Sequence, residues 1–284
     1  MFNVIILINL SIPESCKLNM NLGKSIRIER IIDRESKRTI IIPMDHGLTV
    51  GTIKGLEDLA EMIDKVSFGG ANAVLMHSGM VGAGHRQYGK DIGLIIHLSG
   101  ATSLAPDPDR KVLVCTVERA LKMGADAVSI HINIGADEEP EMLQDAHLTV
   151  EAAREWGIPL LAMMYPRGKK IKDENEPEVV NIAVRAGAEL GADIVKTNYT
   201  GDIESFKYIV KSVHIPVIIA GGPKMDTIQD LLQLVYDSIQ AGGAGVAFGR
   251  NVFQFEDPTK LVSAIAKIVH KNYTVDEVIK EYKF

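Results

Sequence analysis

Lys196 closes a short apolar run, and on the period-two rule of a strand it faces the same way as Ile194. Burying an ammonium ion is costly, so a lysine on the inner face of a strand either reaches water or gives up its proton more easily. A lysine whose pKa falls toward ~7–8 attacks carbonyl carbons. The plainer alternative is a strand-end cation paired with a carboxylate. Asp45, which follows an all-apolar run, could be that carboxylate, or a general acid or base. Tyr165 also ends an apolar run; a phenol beside an ammonium can shuttle protons, though a core tyrosine with a satisfied hydroxyl is common. Gly221 with Gly222, and Gly249 with Arg250, expose backbone N–H groups and a guanidinium to an anion, or else form simple tight turns. Arg167 could hold substrate oxygens or sit as a solvated loop cation. Lys169, Lys170 and Lys224 lie in polar loops and are poorer nucleophiles.

These residues meet only if the chain brings many strand ends together. Strands are expected at 39–44, 73–76, 94–96, 127–130, 160–164, 192–196, 216–220 and 245–248. Helices are expected at 23–32, 56–66, 116–123, 140–156, 177–190, 203–213, 228–241 and 259–270. The stretch 79–91 is polar and Gly-rich, with a weak or missing helix. Eight strands, most followed by a helix, predict an α/β fold, a single-domain (β/α)8 TIM barrel over residues 20–284. An open doubly wound sheet would need a Gly-rich turn after the first strand, where PMDHG (43–47) stands instead. GANAVL (70–75), GADAVS (124–129), GADIVK (191–196) and GAGVA (243–247) share one grammar: a glycine ends a helix, an alanine packs, a strand begins. Active sites in such barrels form at the carboxyl ends of the strands, with phosphate held by the last two. Those ends carry Asp45, His46, His77, His97, His131, Tyr165, Arg167, Lys196, Gly221, Gly222, Gly249 and Arg250.

The histidines support a rival chemistry, since three of them could bind a metal that polarises a carbonyl; no HxH or HExxH pair is present. Composition narrows the rest. The chain has 284 residues, 46% hydrophobic and 24% charged, with a formal net charge of -6 and no long basic run, which argues against nucleic acid as a partner. Two cysteines, Cys16 and Cys115, make no disulfide framework and fit a reducing cytoplasm. The apolar run at 4–8 is too short to span a bilayer and lacks a signal peptide's basic flank. Residues 1–19 are read as an N-terminal extension ahead of a natural start at Met20, a docking arm being the alternative.

Five stretches resemble, in order, the archaeal class I fructose-bisphosphate aldolase family: PMDHG (43–47), MMYPRG (163–168), DIVKT (193–197), AGGPK (220–224) and GRN (249–251). The resemblance runs from about Met20 to about Asn272 and favours the branch of 2-amino-3,7-dideoxy-D-threo-hept-6-ulosonate synthases. It implies a transaldolase without cofactor or metal. Lys196 would form a Schiff base with 6-deoxy-5-ketofructose 1-phosphate, release hydroxypyruvaldehyde phosphate, and add the remaining enamine to L-aspartate semialdehyde. The product would feed an archaeal route to 3-dehydroquinate and aromatic amino acids. Asp45 would be the proton acceptor and Tyr165 the proton donor. Asp45, His46, Gly47, Leu48, Thr49, Tyr165, Pro166, Arg167, Gly221, Gly222, Gly249 and Arg250 would line the sugar-phosphate site. A homo-oligomer, a ring such as a decamer, is implied as well. The alternatives are a fructose-1,6-bisphosphate aldolase, a metal-dependent aldolase, and a non-catalytic barrel that binds a sugar phosphate. A bisphosphate needs a further cation or backbone nest, and none is assignable from sequence, which favours the synthase.

Overall fold

The computed structural model describes residues 22–84 and 91–284; the expectations on residues 1–19, the start at Met20 and Cys16 lie outside them. The first part of the chain runs α1 (Leu22–Ile31), β1 (Thr39–Pro43), α2 (His46–Val50), α3 (Leu59–Gly69), β2 (Ala73–His77), a 3-10 turn (Ser78–Met80), α4 (Val81–Gly84) and β3 (Gly93–His97). A two-stranded ribbon, β4 (Ser99–Gly100) and β5 (Val112–Leu113), precedes α5 (Val117–Lys122), β6 (Ala127–Ile134), α6 (Glu139–Glu155) and β7 (Leu160–Pro166). Then follow α7 (Pro177–Leu190), β8 (Ile194–Thr197), α8 (Ile203–Lys211), β9 (Val217–Ala220), α9 (Ile228–Gln240), β10 (Gly245–Ala247), α10 (Arg250–Phe253), α11 (Pro258–Lys271) and α12 (Val275–Tyr282). Parallel pairings close the barrel in the order β1-β10-β9-β8-β7-β6-β3-β2, the eight-stranded barrel expected.

Alternation along each strand sorts the core into two layers. Ile41, Leu75, Ile95, Leu161, Met163, Ile194, Ile218 and Ala247 fill the barrel's interior. Their sequence neighbours, such as Ile42, Val74, Val195 and Val246, pack outward with the helices. The repeated Gly-Ala-Asn/Asp motif has a structural task. Asn72, Asp126 and Asp193 each use a side-chain oxygen to accept the N–H at the base of a strand already laid down, Ile40 at 2.7 Å, Leu94 at 2.9 Å and Leu160 at 2.9 Å. Gly70, Gly124 and Gly191 take positive φ to make the reversal; in the fourth copy the positive φ falls at Gly242, not at Gly243.

The amino-terminal helix seals this end. Ile31 enters the inner core, Arg30 reaches Asp126 at 2.6 Å, and Lys24 reaches Asp193 at 2.7 Å. The barrel therefore opens at the carboxyl ends of its strands.

Several boundaries depart from expectation. β6 continues to Ile134 because His131 and Asn133, which interrupt the apolar run in sequence, share its inward face and hydrogen-bond each other at 2.8 Å. β7 likewise keeps Tyr165 and Pro166 within the strand. α3 begins three residues late, where Asp58 caps the N–H of Glu61 at 3.0 Å. The β4–β5 ribbon, α10 and α12 were not expected; the α12 capping box, Thr274 with Glu277, is legible in retrospect.

Asp126→Ala leaves the Leu94 N–H without its acceptor and Arg30 with Asp91 alone. It should lower the unfolding free energy by about 2–4 kcal/mol, read by denaturant titration, while activity per folded molecule stays within twofold of the parent.

Candidate active site

On five of the eight strands the inward column turns polar toward the carboxyl end. Aliphatic residues give way to His77 on β2, His97 on β3, His131 on β6, Tyr165 on β7 and Lys196 on β8. Lys196 is 7% exposed, the only lysine among the buried polar residues described. It lies in register with Met163 of β7 and Ile218 of β9, so methionine and isoleucine flank its stem.

These side chains enclose a cavity of about 330 Å³. Asp45, His46, Thr49, Tyr165, Arg167, Lys196, Gly221, Gly222, Gly249 and Arg250 all line it, together with His77, His97 and His131. Gly47, Leu48 and Pro166 do not. The Gly47 carbonyl closes α2 by accepting the Gly51 N–H at 2.9 Å, Leu48 packs over Gly100 of the ribbon, and Pro166 pairs with Ile134. The cavity also takes Lys111, Ser99 and Ala101 from the β4–β5 segment, and Asn198 from beyond β8. Sequence reasoning missed these, because a ribbon of two-residue strands leaves no periodic signal.

At the β9 and β10 ends, Asn251 organises the turn. Its amide donates to the carbonyls of Gly221 at 2.8 Å and Pro223 at 3.1 Å, and its oxygen accepts from the Met225 N–H at 2.8 Å. Arg250 donates to the Gly222 carbonyl at 3.1 Å. With the Gly221 carbonyl held by Asn251, the planar trans peptide turns the Gly222 N–H the other way. Gly222 has φ 62, in the left-handed region. Gly249 is needed for close approach, since a Cβ there would stand 2.6 Å from His46 Cε1 and 3.1 Å from the Pro43 carbonyl.

Asp45 lies 3.6 Å from His46 Nδ1 and 3.9 Å from His97 Nε2. Burial raises its pKa, but the positive fields of His97, His46, Lys196 and His77 outweigh burial and hold it below the usual carboxylate range. Burial drives the imidazoles the other way, toward neutrality: His97 to about 4, and His46 and His77 below their ordinary value. His131 is also held well down, by burial and then by Arg167 and Lys111. Lys196 is thus the neighbour of Asp45 whose field does not depend on a protonated imidazole.

His97 and His131 are hydrogen-bonded within the protein, whereas the buried His46 Nδ1 has no hydrogen-bond partner among the described residues. His97 Nδ1 meets Ser129 Oγ at 2.8 Å, and the His77 and His97 rings lie 5.2 Å apart. Asn133 donates its amide to the Asp109 carbonyl at 2.6 Å, so its oxygen is free to accept from His131 Nε2. The His131 ring then meets the Tyr165 ring edge-on at 5.0 Å, and Arg167 covers the same tyrosine at 4.8 Å. Among the described residues no group of three or more His, Cys, Asp or Glu could hold a metal ion.

The profile of the DeoC/LacD family aldolases matches residues 39–255. The 2-amino-3,7-dideoxy-D-threo-hept-6-ulosonate synthase 1 of Archaeoglobus fulgidus is 44% identical over 259 residues, 91% of this chain and 95% of its own. The 2-amino-4,5-dihydroxy-6-oxo-7-(phosphonooxy)heptanoate synthase of Streptomyces griseus is 37% identical over 256 residues, 90% of this chain and 93% of its own. An archaeal fructose-1,6-bisphosphate aldolase, solved with its catalytic lysine bound to the carbinolamine intermediate of the substrate, superposes with a TM-score of 0.78 at 33% identity, covering 87% of this chain and 99% of that one.

The buried His97 refuses a proton that the unfolded chain accepts near its ordinary pKa of 6.5. The His97 contribution to stability should therefore be unpenalised above pH 6.5, fall as pH drops toward about 4, and level off below. His97→Gln should remove roughly 3 kcal/mol of that acid loss. Denaturant titrations of both proteins across this range test it; identical slopes would refute the assignment.

Proposed function

We propose that this chain, which belongs to the DeoC/LacD aldolase family, is a lysine Schiff-base transaldolase that makes 2-amino-3,7-dideoxy-D-threo-hept-6-ulosonate from a ketose phosphate and L-aspartate semialdehyde. The observation that carries the reading is the buried Lys196 in one cavity with Asp45 and Tyr165.

The Lys196 amine adds to the distal ketone of 6-deoxy-5-ketofructose 1-phosphate, and loss of water from the carbinolamine gives a protonated imine. That imine is an electron sink. Asp45 takes the proton of the hydroxyl on the carbon β to the imine, the bond between the α and β carbons breaks, and its electron pair moves into an enamine while hydroxypyruvaldehyde phosphate leaves. The enamine carbon then attacks the aldehyde of L-aspartate semialdehyde, whose oxygen takes up a proton. Water hydrolyses the new imine, releasing the amino-heptulosonate and regenerating the amine. Tyr165 supplies protons from the neighbouring strand. Gly221, Gly222, Gly249 and Arg250 anchor the donor's phosphate away from the reacting bond, as binding energy used for positioning.

The aldolase alternative needs a second anion site. The expectation that no cation was left for one gives way here, because Lys111 lines the cavity beside Arg167. What favours the synthase is that the two synthase relatives, at 44% and 37% identity, are named for products with an amino-acid end. A cytoplasmic location, supported by the sparse use of cysteine, and a homo-oligomeric state belong to the same proposal.

Borohydride trapping with the ketose phosphate should place the donor adduct on Lys196 by peptide mass spectrometry, with chelator present. Lys196→Ala should lower turnover by at least about a thousandfold with the fold intact. Near-parental turnover in that variant would end the Schiff-base reading. Tyr165→Phe should slow steady-state turnover far more than the rate of adduct trapping, and equal slowing of both would remove its role as proton donor.

A further inference from the structure

The barrel mouth has two cationic ends. In the closed strand order, the β9–β10 edge that carries the glycine turns and Arg250 lies across the ring from β6 and β3. The connection between β3 and β6 is the ribbon segment, and it delivers Lys111 into the cavity, where Arg167 from the end of β7 stands beside it. The two are close enough for the Arg167 charge, after burial, to disfavour the protonated form of Lys111. Lys111 is half-buried and donates to the Pro108 carbonyl, which fixes the direction of its stem.

This second end is not simply positive. Glu174 accepts from Arg167 Nε at 3.1 Å, and the Glu174 carbonyl accepts from Asn198, itself in the cavity wall, at 3.0 Å. Asp109 adds a field that Lys111 feels. A phosphate dianion gains little from two cations already offset by neighbouring carboxylates. A group carrying a carboxylate and an ammonium on one carbon matches both signs.

We propose that Lys111 and Arg167 bind the α-carboxylate of the incoming semialdehyde, with Glu174 facing its α-ammonium, while the departing aldehyde keeps its phosphate at Gly222 and Arg250. The inference rests on the transaldolase reading above. The two aldehydes share the reacting position at Lys196, and their tails diverge to opposite edges of the mouth. Neither tail then has to displace the other's anchor.

Steady-state kinetics on the full chain tests this. Lys111→Gln should raise KM for L-aspartate semialdehyde about 10- to 100-fold, leave KM for the ketose phosphate and the trapped adduct on Lys196 unchanged, and be partly rescued by Lys111→Arg. The parent should prefer L-aspartate semialdehyde over succinate semialdehyde, which lacks the ammonium, and Glu174→Gln should narrow that preference. Inorganic phosphate should compete with the ketose phosphate and not with the semialdehyde. A Lys111→Gln protein with both KM values raised together, or with neither changed, overturns the assignment. If that variant fails to fold, an undiminished preference in Glu174→Gln overturns it. Failure of the parent to form any Lys196 adduct would instead strike the Schiff-base reading.

Discussion

A closed parallel barrel buries its interior from every side, so a charged group can live there only at the end where the strands stop. Everything about Lys196 follows from that constraint. Ile194, two residues earlier on the same inward column, belongs to the aliphatic core, while Lys196 stands at the mouth. Two residues earlier, at the level of Ile194, the ammonium would be sealed in the aliphatic inner core; one residue along, it would face the helices. The opposite end is closed by α1, held by Arg30 on Asp126 and Lys24 on Asp193. Those pairs hold α1 across the amino ends of the strands.

The mouth could have become a cluster of competing positive charges, since it gathers four histidines around one lysine. Burial prevents this by favouring neutral imidazoles, with His97 down to about 4. Neutral rings supply hydrogen-bonding edges and aromatic walls without weakening the field between Asp45 and Lys196. The lasting charge is thereby concentrated in a few places: the lysine, its carboxylate, Arg250 at one edge, and the Lys111–Arg167 pair at the other.

Much of this was legible from sequence because apolar runs report strands and glycines report turns. The eight strands and the residues at their ends could be read along the chain, and all twelve of the residues named from those ends meet in one cavity. Illegibility had physical causes. His131 and Asn133 look like the end of a strand, since polarity breaks an apolar run, yet inside a barrel they continue one by bonding each other. Lys111 sits in a polar segment with no periodicity, and only the tertiary path of the ribbon aims it at the site. Leu48 has a motif neighbourhood but a packing role, over Gly100.

Placement around the ring also separates the two groups proposed to transfer protons. Tyr165 is on β7, adjacent to the lysine strand, whereas Asp45 follows β1, three strands away in the other direction. A substrate carbon bound to Lys196 as proposed would therefore meet a phenol from one side and a carboxylate from the other. The phenol is held rigidly, with His131 against its edge and Arg167 over its face. The carboxylate sits among rings that stay neutral, free to accept a proton without an ion pair to break with each imidazole. A reaction that must break one C–C bond and form another at the same carbon needs protons moved in both directions. In the proposed mechanism, two groups fixed on opposite sides of one lysine would provide that without any change in the barrel.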